Sequence, residues 1–126
     1  MANPLQRKLV TGTFGELLVQ LRLLQYGVQA APPLKDSGND LVALKGLVVR
    51  TIQIKTTTKD LPKWPEDRTL YHLLAVVRLE GVGQEVFLDE SKIFLIPRPE
   101  LAGLKRHWDA LGKFTLSTNH VAALFR

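Results

Sequence analysis

The chain has 126 residues, of which 45% are hydrophobic and 23% charged, so its composition predicts one compact globular domain and excludes a disordered or fibrous protein. It contains no cysteine, which excludes a disulfide framework, a thiolate zinc site and a cysteine nucleophile. Its 17 Lys and Arg residues against 12 Asp and Glu give a formal charge of +5, which favours a polyanionic partner such as nucleic acid.

The N-terminal segment, MANPLQRKLVTG, carries a basic pair but lacks the apolar run and the small-residue cleavage site of a secretory signal. Gln20, Arg22, Arg50 and Gln53 interrupt the longest apolar stretches. None of these stretches reaches the roughly 18 to 20 apolar residues that a bilayer-spanning helix needs. The sequence therefore predicts a cytoplasmic protein with no membrane span.

A helix is predicted after the segment TGTFG at residues 11 to 15, continuing to about Tyr26 and stopped by Gly27. It has two apolar stripes: Phe14, Leu17, Leu18, Leu21 and Leu24 on one side, and Val19 and Leu23 on the other. A helix that is apolar on both sides is expected to be covered twice, by the sheet and by another segment or a second subunit. Glu16 is the only acidic residue in this helix.

The rest of the chain has mostly strand-like patterns, separated by turn residues. A short strand is predicted at residues 28 to 31, then a hairpin of residues 40 to 44 and 47 to 55 joined by Lys45-Gly46. A loop at 56 to 68 and an apolar central strand at 70 to 79 follow, and then shorter runs at 85 to 88 and 93 to 96. From about residue 100 we expect one or two short helices, with Ser117 as the N-cap of a last helix ending near Phe125.

The hairpin places polar residues on a common face. With a two-residue loop at Lys45-Gly46, paired residue numbers sum to 91, so Asp40 faces Thr51. Side chains alternate between the faces of a strand, and Asp40 therefore shares a face with Gln53 and Lys55. Asp40 and Gln53 become diagonal neighbours, roughly 7 to 8 Å apart, which is close enough for both side chains to reach one ion.

Three segments then resemble the PD-(D/E)XK nuclease superfamily: GTFGE at residues 12 to 16 opening a helix, GND at 38 to 40 opening a strand, and IQIKT at 52 to 56 closing the next strand. The resemblance covers about residues 11 to 80. It implies an α/β restriction-endonuclease-like core with a central mixed β-sheet flanked by helices. Residues 1 to 126 would form a single nuclease-like domain, with a core of about 11 to 97 and a C-terminal helical segment of about 100 to 126 that matches nothing in the family.

The resemblance also implies roles for four residues. Asp40 would bind Mg²⁺, Gln53 would help to bind it, Glu16 would complete the metal site, and Lys55 would act near the attacking water. Mn²⁺ is an alternative ion. The sequence departs from the family pattern at Asn39, where a proline is usual, and at Gln53, where an acid is usual. The implied function is a metal-dependent DNA endonuclease that acts as a homodimer, with branched or structured DNA as the expected substrate.

Each of these residues also has a plain structural interpretation. Asp40 can cap a turn, Gln53 and Lys55 can be the exposed face of an edge strand, and Glu16 can complement a helix dipole. Their joint occurrence in the family's order favours the nuclease site. Because Gln53 is neutral, a second hypothesis is a non-catalytic DNA-binding protein that retains the fold. A third hypothesis is a subunit whose site is completed by a partner chain.

Candidate nucleic-acid contacts lie in the loop that follows Lys55. Lys59, Lys63 and Arg68 are candidates for phosphate contacts, as are Arg7 and Lys8 near the N-terminus. Trp64 has two interpretations, stacking on a base or capping the core. The three histidines, His72, His107 and His120, lack the spacing of a zinc site.

Overall fold

The computed structural model describes residues 7–35, 38–65, 70–82 and 85–126, with the backbone alone for residues 7–9. Helix α1 spans Arg7–Gln25 and is followed by strands β1 Gln29–Ala31, β2 Leu41–Lys45, β3 Val48–Thr57 and β4 Leu73–Arg78. A small hairpin of β5 Gly81–Val82 and β6 Glu85–Val86 leads to strand β7 Lys92–Pro97. Two 3-10 helices, Arg98–Gly103 and Trp108–Phe114, precede helix α2 Thr118–Leu124.

The central sheet has five strands in the order β1-β2-β3-β4-β7. Strands β3 and β4 pair in parallel, and the other neighbours pair antiparallel. The sheet is therefore mixed, and the helices flank it, which confirms the predicted α/β class. All five positions from Leu73 to Val77 of β4 are buried, as expected for a central strand covered on both faces.

The predicted hairpin exists, but its register is corrected by two residues. The turn is Gly46-Leu47 rather than Lys45-Gly46, and Leu44 pairs with Val49, so paired numbers sum to 93. Gly46 has a φ of 61°, a left-handed conformation that glycine adopts without steric cost and that suits the first position of a tight hairpin turn. A shift of two residues leaves every side chain on its predicted face.

Helix α1 already includes Arg7, so the TGTFG segment predicted to precede it lies inside it. Its Leu18, Val19 and Leu23 are buried in the core against one face of the sheet, together with Val121 and Phe125 from the C-terminal end. The remaining members of the predicted first stripe lie on the outer side of the helix and are exposed. Among the helices in the described ranges, none is long and apolar enough to cross a membrane.

The opposite face of the sheet is covered over β4 and β7 by the two 3-10 helices. Leu74 and Ile96 of the sheet pack there with Leu101, Leu111 and Phe114. Ser117 caps α2 as predicted, because its hydroxyl accepts a hydrogen bond of 3.0 Å from the His120 N–H.

Candidate functional site

Asp40 lies where β2 begins and its side chain replaces a strand hydrogen bond. The Asp40 N–H donates to the Ile52 carbonyl at 2.9 Å, one residue out of the register in which Ile52 pairs with Leu41, and the Ile54 N–H donates to the Asp40 carboxylate at 2.7 Å. Regular pairing with β2 ends at Leu41 and Ile52. Strand β3 continues to Thr57, so within the described ranges its edge beyond Asp40 is open, with no strand paired to it.

Gln53 and Lys55 follow on this stretch of β3. They alternate with Ile52 and Ile54, which are buried in the α1 core, and are themselves half-buried. The Asp40 carboxylate accepts a hydrogen bond from the N–H of Ile54, the residue between Gln53 and Lys55, so it lies against the stretch of β3 that carries both side chains.

Gly15 brings helix α1 against the same end of β3. Gly15 is buried, and a Cβ atom built on it would collide with the side chain of Thr56. Only glycine permits this approach of helix and strand. The next residue, Glu16, is thereby held beside the open edge of β3.

Glu16 and Asp40 interact electrostatically. The pKa of Glu16 is raised from its ordinary value of 4.5, mainly because burial removes water from its carboxylate and additionally because the negative charge of Asp40 opposes ionisation. The two carboxylates are thus close enough to repel one another. A cation placed between them would relieve this repulsion.

The four residues predicted to form the site line one pocket, with a volume of about 590 Å³. Its lining residues are Thr11, Gly12, Glu16, Asp40, Gln53, Ile54, Lys55, Thr56, Thr57 and Thr58. Thr11 and Gly12 of α1 were not predicted as lining residues, and the threonines at 56 to 58 were predicted to lie in a loop. The β-branched run at 56 to 58 directly continues a strand pattern and was the available signal.

The polar groups of the pocket fit a hard divalent cation. Mg²⁺ is usually held by one or two carboxylates, with water and substrate oxygens completing six ligands. Glu16 and Asp40 supply two carboxylates and Gln53 an amide oxygen, which meets this requirement without a third acid. In the described ranges no three His, Cys, Asp or Glu side chains cluster as potential metal ligands.

The loop after β3 starts at the pocket and is held by the C-terminal segment. The Arg106 guanidinium donates to the carbonyls of Leu61 and Pro62 at 3.3 and 2.9 Å and lies over the Trp64 ring at 5.6 Å. Trp64 is half-buried and packs against the second core, whereas Lys59 and Lys63 are exposed.

Three other candidates for nucleic-acid contacts, the side chains of Arg7 and Lys8 and the whole of Arg68, lie outside the described part of the structure. The histidines have separate local partners. His72 Nδ1 accepts from the Thr51 N–H at 2.9 Å, His107 caps a 3-10 helix, and His120 Nε2 lies 2.7 Å from the Leu95 carbonyl.

The fold is similar to that of a bacterial homing endonuclease, I-Ssp6803I. The two structures align with a TM-score of 0.54 over 94% of this chain and 97% of that chain, at 14% sequence identity. No protein-family model matches the sequence, and no curated protein matches it. The chain therefore has the overall fold of a known endonuclease.

Proposed function

We propose that this protein is a metal-dependent DNA endonuclease of the PD-(D/E)XK type, with glutamine at the position where an acid is usual. The convergence of Glu16, Asp40, Gln53 and Lys55 on one pocket carries the proposal. These residues come from α1, from the residue before β2, and from β3. The pocket residues follow the order of the family's motif along the chain, and the similarity of the fold to that of a homing endonuclease adds separate support.

Glu16, Asp40 and Gln53 are the residues that would hold Mg²⁺ or Mn²⁺. Such an ion neutralises charge that develops on a phosphate and lowers the pKa of its water. Lys55 lines the same pocket and adds the positive charge of its ammonium group. Its ammonium either orients the attacking water or stabilises the phosphate in the transition state.

The proposed substrate is DNA, with branched or structured forms preferred. The formal charge of +5 attracts a polyanion, and the exposed Lys59 and Lys63 belong to the loop that leaves the pocket. We assign these lysines to the phosphate backbone. Trp64 has one ring face near Arg106, which favours a role in holding the loop over stacking on a base.

The test is a cleavage panel with plasmid, linear duplex, single-stranded and four-way-junction DNA, each with Mg²⁺, Mn²⁺ or chelator. Asp40→Asn and Lys55→Ala are expected to abolish scission while DNA binding persists. Asn retains an oxygen that can accept from the Ile54 N–H, so the hairpin is expected to fold. Asp89→Asn and Lys92→Ala are matched controls, because both residues are exposed and neither lines the pocket.

The neutral amide of Gln53 favours one second function, a DNA-binding protein that no longer cleaves. Two carboxylates bind a divalent ion less strongly than three. If the wild-type protein binds DNA but nicks no substrate of the panel with either ion, this binding function replaces the nuclease.

A further inference from the structure

The loop at residues 58 to 65 leaves the pocket and carries the two lysines assigned to the DNA backbone. It begins where β3 ends at Thr57, which lines the pocket. A local turn fixes its first residues, because the Thr57 hydroxyl donates to the Asp60 carbonyl at 2.7 Å and accepts from the Lys59 N–H at 3.2 Å. Lys59 and Lys63 are exposed along this loop. The course of the loop backbone therefore decides where these lysines stand relative to the pocket.

One side chain from the C-terminal segment holds the second part of this loop. Arg106 lies between the two 3-10 helices, and its Nη2 atom donates to the carbonyls of Leu61 and Pro62 at 3.3 and 2.9 Å. The central carbon of the same guanidinium lies 5.6 Å from the centre of the Trp64 ring. Two carbonyl contacts and a ring contact from one rigid, planar group fix the direction of the loop backbone as well as its distance.

Arg106 is anchored in a packed part of the fold. Leu104 and Trp108 flank it, and both pack against the core that Leu111 and Phe114 help to form. The contact from Arg106 spans 45 residues of sequence. The loop beside the pocket is thus tied to the C-terminal segment, which lies beyond the part of the chain that resembles the nuclease family.

Holding the loop before DNA arrives increases affinity. A loop that becomes ordered only on binding loses conformational freedom at that moment, and this loss opposes association. A loop that is already held loses less, so its lysines bind phosphates more tightly with the same charges. The Nη2 atom of Arg106 carries two hydrogens, and each has a loop carbonyl to bond. This nitrogen therefore acts on the backbone of the loop, and contact with phosphate is left to the lysines.

We propose that Arg106 is a positioning residue that presents Lys59 and Lys63 to the DNA backbone, so that the C-terminal segment controls DNA affinity. The proposal rests on DNA binding by the proposed nuclease. At fixed salt, Arg106→Gln is expected to raise the Kd and the KM for duplex and four-way-junction DNA by about tenfold. The kcat at saturating DNA and the Mg²⁺ affinity are expected to keep their wild-type values, because Arg106 does not line the pocket. Lys105→Gln is the matched control, since it removes the same charge from the neighbouring exposed residue.

Two further variants separate positioning from direct attraction of DNA. Arg106→Lys keeps the charge but replaces the planar fork by a single ammonium group, so most of the loss is expected to remain. In a chain that carries Lys59→Ala and Lys63→Ala, Arg106→Gln is expected to weaken binding by less than about twofold, because the residues that it positions are gone. Full affinity in Arg106→Lys, or a further tenfold loss in the chain without the two lysines, would show that Arg106 attracts DNA by its own charge and would overturn the proposal.

A measurement without DNA examines the loop itself. The chain has two tryptophans, so Trp108→Phe leaves Trp64 as the single one. Adding Arg106→Gln is expected to increase acrylamide quenching of Trp64 fluorescence, with circular dichroism verifying that the domain is folded. Unchanged quenching would show that Arg106 does not hold the loop, and this overturns the proposal whether or not the protein is a nuclease.

The two proposals can fail separately. Wild-type protein that binds DNA but cuts none of it, with binding weakened tenfold in Arg106→Gln, refutes the nuclease and supports the positioning role. Wild-type protein that cuts DNA, with the same Kd and KM in Arg106→Gln, refutes the positioning role alone. Wild-type protein that binds no DNA overturns both.

Discussion

Gly15→Ala tests whether close packing of helix α1 on β3 sets the position of Glu16. The added Cβ would lie 2.9 Å from both Cβ and Cγ2 of Thr56 and would overlap its hydroxyl. Carbon atoms in contact are normally about 3.5 Å or more apart, so helix and strand must separate by at least about 0.6 Å. Glu16 moves with the helix, away from Asp40 and Gln53.

Overpacking of this size typically costs about 1 to 3 kcal/mol of folding free energy, which lowers the melting temperature by about 4 to 12 °C in a domain of this length. A displacement approaching 1 Å at a catalytic site can reduce the rate by about a hundredfold. We therefore expect Gly15→Ala to fold but to show weaker Mg²⁺ binding and much slower scission. Thermal melting, calorimetric metal titration and single-turnover cleavage measure the three effects.

Gly112→Ala is the matched control, since nothing lies within 4 Å of the position where its Cβ would stand. Combining Gly15→Ala with Thr56→Ala removes two of the three overlapping atoms, and the pair is expected to recover part of the lost stability. If Gly15→Ala keeps the melting temperature and metal affinity of the wild type, the steric argument for the placement of Glu16 is wrong.

Two further outcomes follow from the charges of the pocket. Burial and the charge of Asp40 raise the pKa of Glu16, so the protonated carboxyl favours the folded state over the unfolded one. This contribution to folding stability is lost as the pH rises through that pKa. Without divalent ions, Glu16→Gln is expected to melt higher than the wild type at pH 7 and to lose this advantage below the ordinary value of 4.5. Gln53→Glu adds a third carboxylate and is expected to tighten Mg²⁺ binding by about tenfold in a calorimetric titration; unchanged affinity would mean that residue 53 does not touch the ion.

The grouping of the site residues could be predicted from the sequence because it depends on the parity of the strands. Gln53 and Lys55 keep a common side under any hairpin shift of two residues, so the register correction left that pair intact, and Asp40, which precedes the regular pairing, lines the same pocket. The register itself depends on which residue takes the left-handed turn position. A glycine in the sequence indicates a hairpin turn, but the sequence does not show whether that glycine is the first or the second residue of the loop.

The packing of α1 could not be derived from its pattern. Both sides of the helix are apolar, and periodicity alone does not decide which stripe the sheet covers. The start of the helix could not be predicted either, because Gly12 and Gly15 have low helix propensity and favour a loop at this position. Tertiary packing overrides that preference, since Gly15 is the residue that fits against Thr56.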